Sequence, residues 1–136
     1  MSASPTHIVD ASALIAYFKQ EPGHENLASL LGDEHNVLAI HITNLCEVYY
    51  NYLRSDGADK AEEAWQKATT ILGVIEKSDA QFLKRVGRWK VDYGLPLGDA
   101  FAAATAEDNA APLITTDRND FSAIGSAGAL QIIWLR

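Results

Sequence analysis

The sequence lacks several features that would place it in a familiar class. Cys46 is the only cysteine among 136 residues, so no disulfide can form within the chain, and we expect a cytoplasmic protein. Residues 1–7 have neither the basic nor the apolar region of a signal peptide. No apolar run approaches the roughly 18 residues that span a bilayer, so we expect no association with a membrane.

Positive charge is also scarce. The chain has 11 Lys and Arg against 18 Asp and Glu, which leaves a net charge of −7. This disfavours broad, non-specific binding of nucleic acid, which needs a positive surface. It does not exclude an enzyme that acts on nucleic acid, because acids around a metal ion are neutralised by that ion. Neither a P-loop nor a dinucleotide-binding glycine motif is present.

The apolar residues are sufficient for one core. They make up 48% of the sequence, and we expect residues 1–136 to form a single domain. Short apolar segments alternate with helical ones, which predicts an α/β fold with a central parallel sheet flanked by helices. The predicted strands are residues 7–10, 37–42, 74–75, 113–116 and 131–135.

Two further segments lead to specific expectations. Thr43 or Asn44 has the chemistry of a helix N-cap, so we expect a helix to begin there. Residues 122–129 contain two glycines and are predicted to form a loop.

Four acids follow the predicted strands or begin predicted helices. Asp10 and Asp117 end strands, Glu47 lies in the first turn after the second strand, and Asp99 begins an alanine-rich helix. Because helices that follow parallel strands begin at one edge of the sheet, we expect these acids to share that edge. Clustered carboxylates repel and need a compensating cation. An all-carboxylate site suits Mg²⁺ or Mn²⁺.

Each acid also has an ordinary structural explanation. Asp10 and Asp117 are suitable N-caps, and Asn44 with Glu47 has the spacing of a capping box. Asp99 suits the positive end of a helix dipole. Only the four acids together favour a metal site.

Four segments resemble, in order, the motifs of the PIN-domain family. They are residues 9–16, 43–48, 95–104 and 115–121, and they extend over nearly the whole sequence. One such motif is weak evidence, but four in the same order are fairly specific. Within the family, the sequence is most similar to the VapC toxins of type II toxin–antitoxin systems.

The resemblance implies a three-layer PIN-like fold and an Mg²⁺-dependent endoribonuclease that cleaves RNA by metal-activated water. By position, the metal-binding and catalytic acids would be Asp10, Glu47, Asp99 and Asp117. The resemblance also implies a cognate antitoxin and a homodimer.

The same resemblance suggests roles for neighbouring residues. Ser12 and Thr115 would support the metal-binding acids through hydrogen bonds. Asp120 would assist them or cap the segment that follows. Cys46, next to Glu47, is expected to pack as a small apolar group.

A basic segment is the candidate RNA contact. Lys84 and Arg88 are one helical turn apart, so they share a face and could contact phosphates. Trp89 could stack on a base, but a core position for Trp89 on a solvated helix is the more ordinary arrangement.

Three alternatives remain from the sequence. The chain could be an RNA-processing PIN nuclease without an antitoxin, or a non-catalytic PIN-like module that binds RNA or protein. A receiver-type phosphoacceptor domain also clusters acids on an α/β sheet. It ranks last, because the sequence lacks a lysine on a late strand at the expected edge.

Overall fold

The computed structural model describes residues 4–136; residues 1–3, part of the stretch examined for a signal peptide, lie outside the described range. The described residues form five strands and seven helices. In chain order these are β1 His7–Val9, α1 Ala11–Phe18, α2 His24–Gly32, β2 Leu38–His41, α3 Ile42–Ser55, α4 Ala58–Ile71, β3 Gly73–Ile75, α5 Ala80–Tyr93, α6 Leu97–Asp108, β4 Leu113–Thr115, α7 Arg118–Ser126 and β5 Ile132–Trp134. Among these helices, none is both long and apolar enough to cross a membrane.

The strands form one parallel sheet in the order β3-β2-β1-β4-β5. The central strand β1 pairs with β2 and β4, with Ile8 opposite Ala39 and Leu113. The prediction of a parallel α/β sheet is therefore confirmed, and each predicted strand differs from the observed one by at most a few residues.

Apolar side chains on the inner strands alternate between two cores, one on each face of the sheet. Helices α1 to α4 cover one face and α5 to α7 the other. The first core includes Val9, Ile40 and Ile114, whereas the second includes their chain neighbours Ile8, Ala39 and Leu113. Strands buried on both faces are nearly all apolar, as these are. The predicted three-layer arrangement is confirmed.

Helix α6 packs closely because its buried residues are small. Five of its alanines are fully buried: Ala100, Ala102, Ala103, Ala104 and Ala106. Alanine lets a helix backbone approach its neighbours while retaining high helix propensity. The close packing fixes the first turn of α6, which carries Asp99.

Two local predictions were wrong. Helix α3 begins at Ile42 with His41 as its N-cap, rather than at Thr43 or Asn44. Residues 122–126, expected in a loop, belong to α7. Gly125 lies within this helix where Ile132 approaches closely: a Cβ at Gly125 would lie 3.4 Å from the Ile132 Cγ1 atom.

Candidate metal centre

Asp10 joins three elements at the carboxyl edge of the sheet. It is the N-cap of α1, and its Oδ1 accepts hydrogen bonds from the Ala13 amide at 2.9 Å and the Ser12 hydroxyl at 2.7 Å. Its Oδ2 accepts from the Thr115 hydroxyl of β4 at 2.5 Å. The side chain is 2% exposed. Asp10 therefore caps α1, and both of its carboxylate oxygens accept hydrogen bonds from the protein.

The start of α7 is tied to the same group. The Asp117 amide donates to Thr115 Oγ1 at 3.0 Å, and the Thr116 amide donates to Ser12 Oγ at 3.1 Å. Asp117 is the N-cap of α7, and its Oδ1 accepts from the Asp120 amide at 3.0 Å. Ser12 and Thr115 thus connect Asp10 to the loop that presents Asp117.

Three carboxylates meet at the first turns of α6 and α7. Asp99, Asp117 and Asp120 each contribute an oxygen, and these oxygens all lie within 4.8 Å of one another. We call these residues the three-aspartate cluster. Asp120, expected from the sequence only as a supporting or capping residue, is a full member of the cluster.

Glu47 lies outside the three-aspartate cluster, next to the start of α6, which carries Asp99. Its Oε1 accepts a hydrogen bond from Asn44 Nδ2 at 3.0 Å, and the same Nδ2 donates to the Gly98 carbonyl at 2.9 Å. Glu47 therefore lies against the residue that precedes Asp99. Asn44 lies inside α3 rather than at its N-cap, so the capping-box interpretation of Asn44 and Glu47 was wrong.

The basic residues are not part of this arrangement. Lys84 and Arg88 are exposed on α5, and Arg88 lines a cleft with Trp89 and Glu107 that includes none of the clustered aspartates. Trp89 is 8% exposed and donates from Nε1 to Glu107 Oε1 at 3.1 Å. Trp89 is therefore a core residue.

Residues 7–126 match the family model described as PIN domain. The chain belongs to the PIN-domain family. No curated protein matches it.

Three solved structures of VapBC or VapC proteins are similar to this chain in fold. A chain of VapBC2 from Rickettsia felis, bound to a DNA fragment from its promoter, is 20% identical with a TM-score of 0.74, covering 93% of this chain and 96% of that one. A chain of DNA-bound VapBC from Salmonella typhimurium is 14% identical with a TM-score of 0.75, covering 97% and 99%. The Mycobacterium tuberculosis toxin VapC20, which cleaves the sarcin-ricin loop, is 22% identical with a TM-score of 0.69, covering 88% and 95%.

Burial and crowding suppress the ionisation of Asp99 in this PIN domain. The pKa of Asp99 is raised from 3.8 to about 9, chiefly by burial and next by a hydrogen bond with the Asp120 carboxyl. The negative charges of Asp10, Asp117 and Asp120 act in the same direction. Without a cation, Asp99 is therefore protonated at neutral pH.

The other acids are shifted in the same direction. Burial raises the pKa of Asp10 to about 6, although hydrogen bonds from Thr115, Ala13 and Ser12 oppose the shift. Burial also raises the pKa of Asp117, and it raises that of Glu47 against the opposing hydrogen bond from Asn44. All four sequence-predicted acids therefore bind protons more tightly than free carboxyls do.

The cluster has the donors that a hard divalent cation requires. All three side chains present oxygen, which suits Mg²⁺ or Mn²⁺. Asp99 Oδ2 is buried and makes no hydrogen bond within the described part of the chain. A buried carboxylate oxygen without a partner is costly unless a cation or proton compensates it. The residues present therefore fit such an ion.

Two features near Glu47 were missed or misjudged from the sequence. His41 caps α3: its Nδ1 accepts from the Thr43 amide at 3.1 Å, while its Nε2 lies 2.9 Å from the Lys77 carbonyl and donates to it. Burial lowers the pKa of His41, which keeps Nδ1 free to accept. Cys46, expected to be packed, is exposed.

Asp99→Asn should change how the stability of the metal-free protein depends on pH. Because the folded-state pKa of Asp99 is raised, its contribution to stability is complete below about pH 4 and is lost as pH rises towards about 9. The unfolding midpoint of the wild type should therefore fall relative to that of the variant over this range. Thermal unfolding in chelator at a series of pH values measures the difference.

The matched control is Asp59→Asn, which makes the same change at an exposed position in the first turn of α4. It should follow the wild type. Parallel curves for the wild type and Asp99→Asn would show that Asp99 is not held protonated.

Proposed function

We propose that this PIN-domain chain is an endoribonuclease that depends on Mg²⁺ or Mn²⁺, and that it is the toxin of a type II toxin–antitoxin pair. The observation that carries the proposal is the three-aspartate cluster, whose ligand oxygens lie within 4.8 Å of one another at the carboxyl edge of the sheet. Capping of α7 accounts for Asp117 alone, and the mutual repulsion of the three acids opposes folding.

In this proposal Asp99, Asp117 and Asp120 hold the cation, and Asp10 and Glu47 complete the set of metal-binding acids. When bound, the ion supplies an acidified water as nucleophile and offsets charge on the phosphodiester. The Ser12 and Thr115 hydroxyls donate to Asp10, so they keep its carboxylate oriented and favour its ionised form.

The substrate class is proposed to be RNA. Support comes from the family and from the similarity in fold to VapC20, a toxin that cleaves the sarcin-ricin loop. Lys84 and Arg88 are exposed cations on α5 and are proposed to contact RNA phosphates. The alternative of an inactive RNA- or protein-binding module is disfavoured because the acids of the site are all present.

The first test is cleavage of total RNA by the purified chain. We expect cuts in the presence of Mg²⁺ or Mn²⁺, no cuts in chelator, and loss of cleavage in Asp99→Asn, which removes a ligand charge at nearly constant shape. Sequencing of the cut ends measures the outcome and identifies the target.

Asp59→Asn is again the control and should cleave as the wild type does. Undiminished cleavage by Asp99→Asn would remove Asp99 from the mechanism. Cleavage that persists in chelator would show that the reaction does not need a metal ion.

We propose that a cognate antitoxin covers the acidic site. A cleft of carboxylates is suited to an inserted arginine, which engages a carboxylate through two parallel hydrogen bonds. The VapBC complexes that resemble this chain in fold support a partner of this kind.

We also propose that residues 1–136 form one domain that acts in the cytoplasm as a homodimer. The exposed side chains of Val91 and Leu97 are available for apolar contact.

Expression of the chain alone should arrest growth, and co-expression with its genomic neighbour should restore it. Growth curves measure both, and Asp99→Asn expressed alone should be harmless. A folded, metal-binding chain that is harmless alone and binds no neighbour would favour an RNA-processing PIN nuclease without an antitoxin.

A further inference from the structure

We propose that Asn44 is a positioning residue for Glu47, and that Gly98 provides the space in which the Glu47 carboxylate is held. The inference rests on the proposed function, since it explains how Glu47 is presented beside the three-aspartate cluster. The position of the Glu47 carboxylate depends on the Asn44 amide and on the absence of a side chain at Gly98.

The orientation of the Asn44 amide is fixed by its neighbours. Its Nδ2 lies 3.0 Å from Glu47 Oε1 and 2.9 Å from the Gly98 carbonyl oxygen, both of which accept hydrogen bonds. Only the NH₂ group can donate to two acceptors, so the reversed orientation would place an oxygen against two oxygens. The two amide hydrogens therefore link the Glu47 carboxylate of α3 to the backbone of α6.

Gly98 leaves room for that carboxylate. A Cβ at Gly98 would lie 1.9 Å from Glu47 Oε1 and 2.6 Å from its Cδ. Glu47 is therefore in direct contact with the position where any other residue type would carry its side chain. Because the obstructing group is the end of a flexible side chain, Gly98→Ala should move the Glu47 carboxylate rather than disrupt the fold.

A role in stabilising the fold does not by itself explain an asparagine at position 44. The residue is 1% exposed, and its Oδ1 is buried with no hydrogen-bond partner in the described part of the chain. An unpartnered buried carbonyl opposes folding. A residue that served only to pack α3 against α6 would not need a buried carbonyl without a partner. The NH₂ group of the same amide explains why an asparagine is present, because it holds the Glu47 carboxylate.

The experiment compares Asn44→Leu and Gly98→Ala with two controls. Asn51→Leu removes an amide that donates at 2.8 Å to the backbone carbonyl of Glu47, not to its carboxylate. Gly87→Ala adds a methyl group to a helical glycine of α5, where the new Cβ would meet no other side chain or distant backbone within 4 Å. For each variant we would measure Mn²⁺ affinity by calorimetry without RNA, the unfolding midpoint in chelator, and kcat and KM for RNA cleavage.

Both test variants should weaken Mn²⁺ binding by about 10-fold or more, which is typical when a group that orients a metal ligand is lost. Both variants should still unfold cooperatively without metal, which would show that weaker Mn²⁺ binding is not caused by loss of the fold. At saturating Mn²⁺, kcat should fall while KM for RNA stays the same, because the contacts with RNA are intact. The two controls should match the wild type in metal affinity.

A second comparison uses Glu47→Gln as the background. If Asn44 and Gly98 act through the Glu47 carboxylate, neither substitution should weaken Mn²⁺ binding further in this background. Losses that add to that of Glu47→Gln, or an unchanged or increased Mn²⁺ affinity in the single variants, would overturn the inference while leaving the proposed function intact. A wild type that neither binds Mn²⁺ nor cleaves RNA would overturn both.

Discussion

Mutual repulsion among partly buried carboxylates is the constraint on which the rest of the structure depends. Two full negative charges about 4 Å apart near a protein surface repel by about 4 kcal/mol. The oxygens of the three-aspartate cluster lie within 4.8 Å of one another, so repulsion of this order acts among them, and without a cation protonation of Asp99 relieves it. A fold that keeps these groups together favours binding of a cation, because a bound cation allows all three carboxylates to ionise.

The parallel sheet and its helices overcome this repulsion. Hydrogen bonds from Ser12 and Thr115 fix Asp10 between β1, α1 and β4, and buried alanines bring the first turn of α6 against the same edge. Apolar cores on both faces hold these elements in place. Stability is therefore supplied by the two cores and is opposed at the carboxyl edge, an arrangement common where a site is organised for chemistry rather than for folding.

The sequence predicts the architecture well because its patterns are local. Apolar runs separated by helical segments indicate a parallel sheet, and the edge at which Asp10 and Asp117 lie follows from the direction of the strands. Asp120 was harder to place because Gly125 and Gly128 suggested a loop. Once α7 is present, Asp120 lies three residues after the N-cap Asp117 and therefore beside it. The contact of Asn44 with Gly98 joins residues 54 positions apart, and no local pattern encodes it.

The most direct test of this account is the location of a bound cation. Crystals grown with Mn²⁺ would give an anomalous signal that identifies the ion without reference to activity. The account predicts a peak bonded to the carboxylates of Asp99, Asp117 and Asp120, with Asp10 close behind. A fully occupied Mn²⁺ site elsewhere in the chain, with no ion bonded to these three side chains, would contradict it.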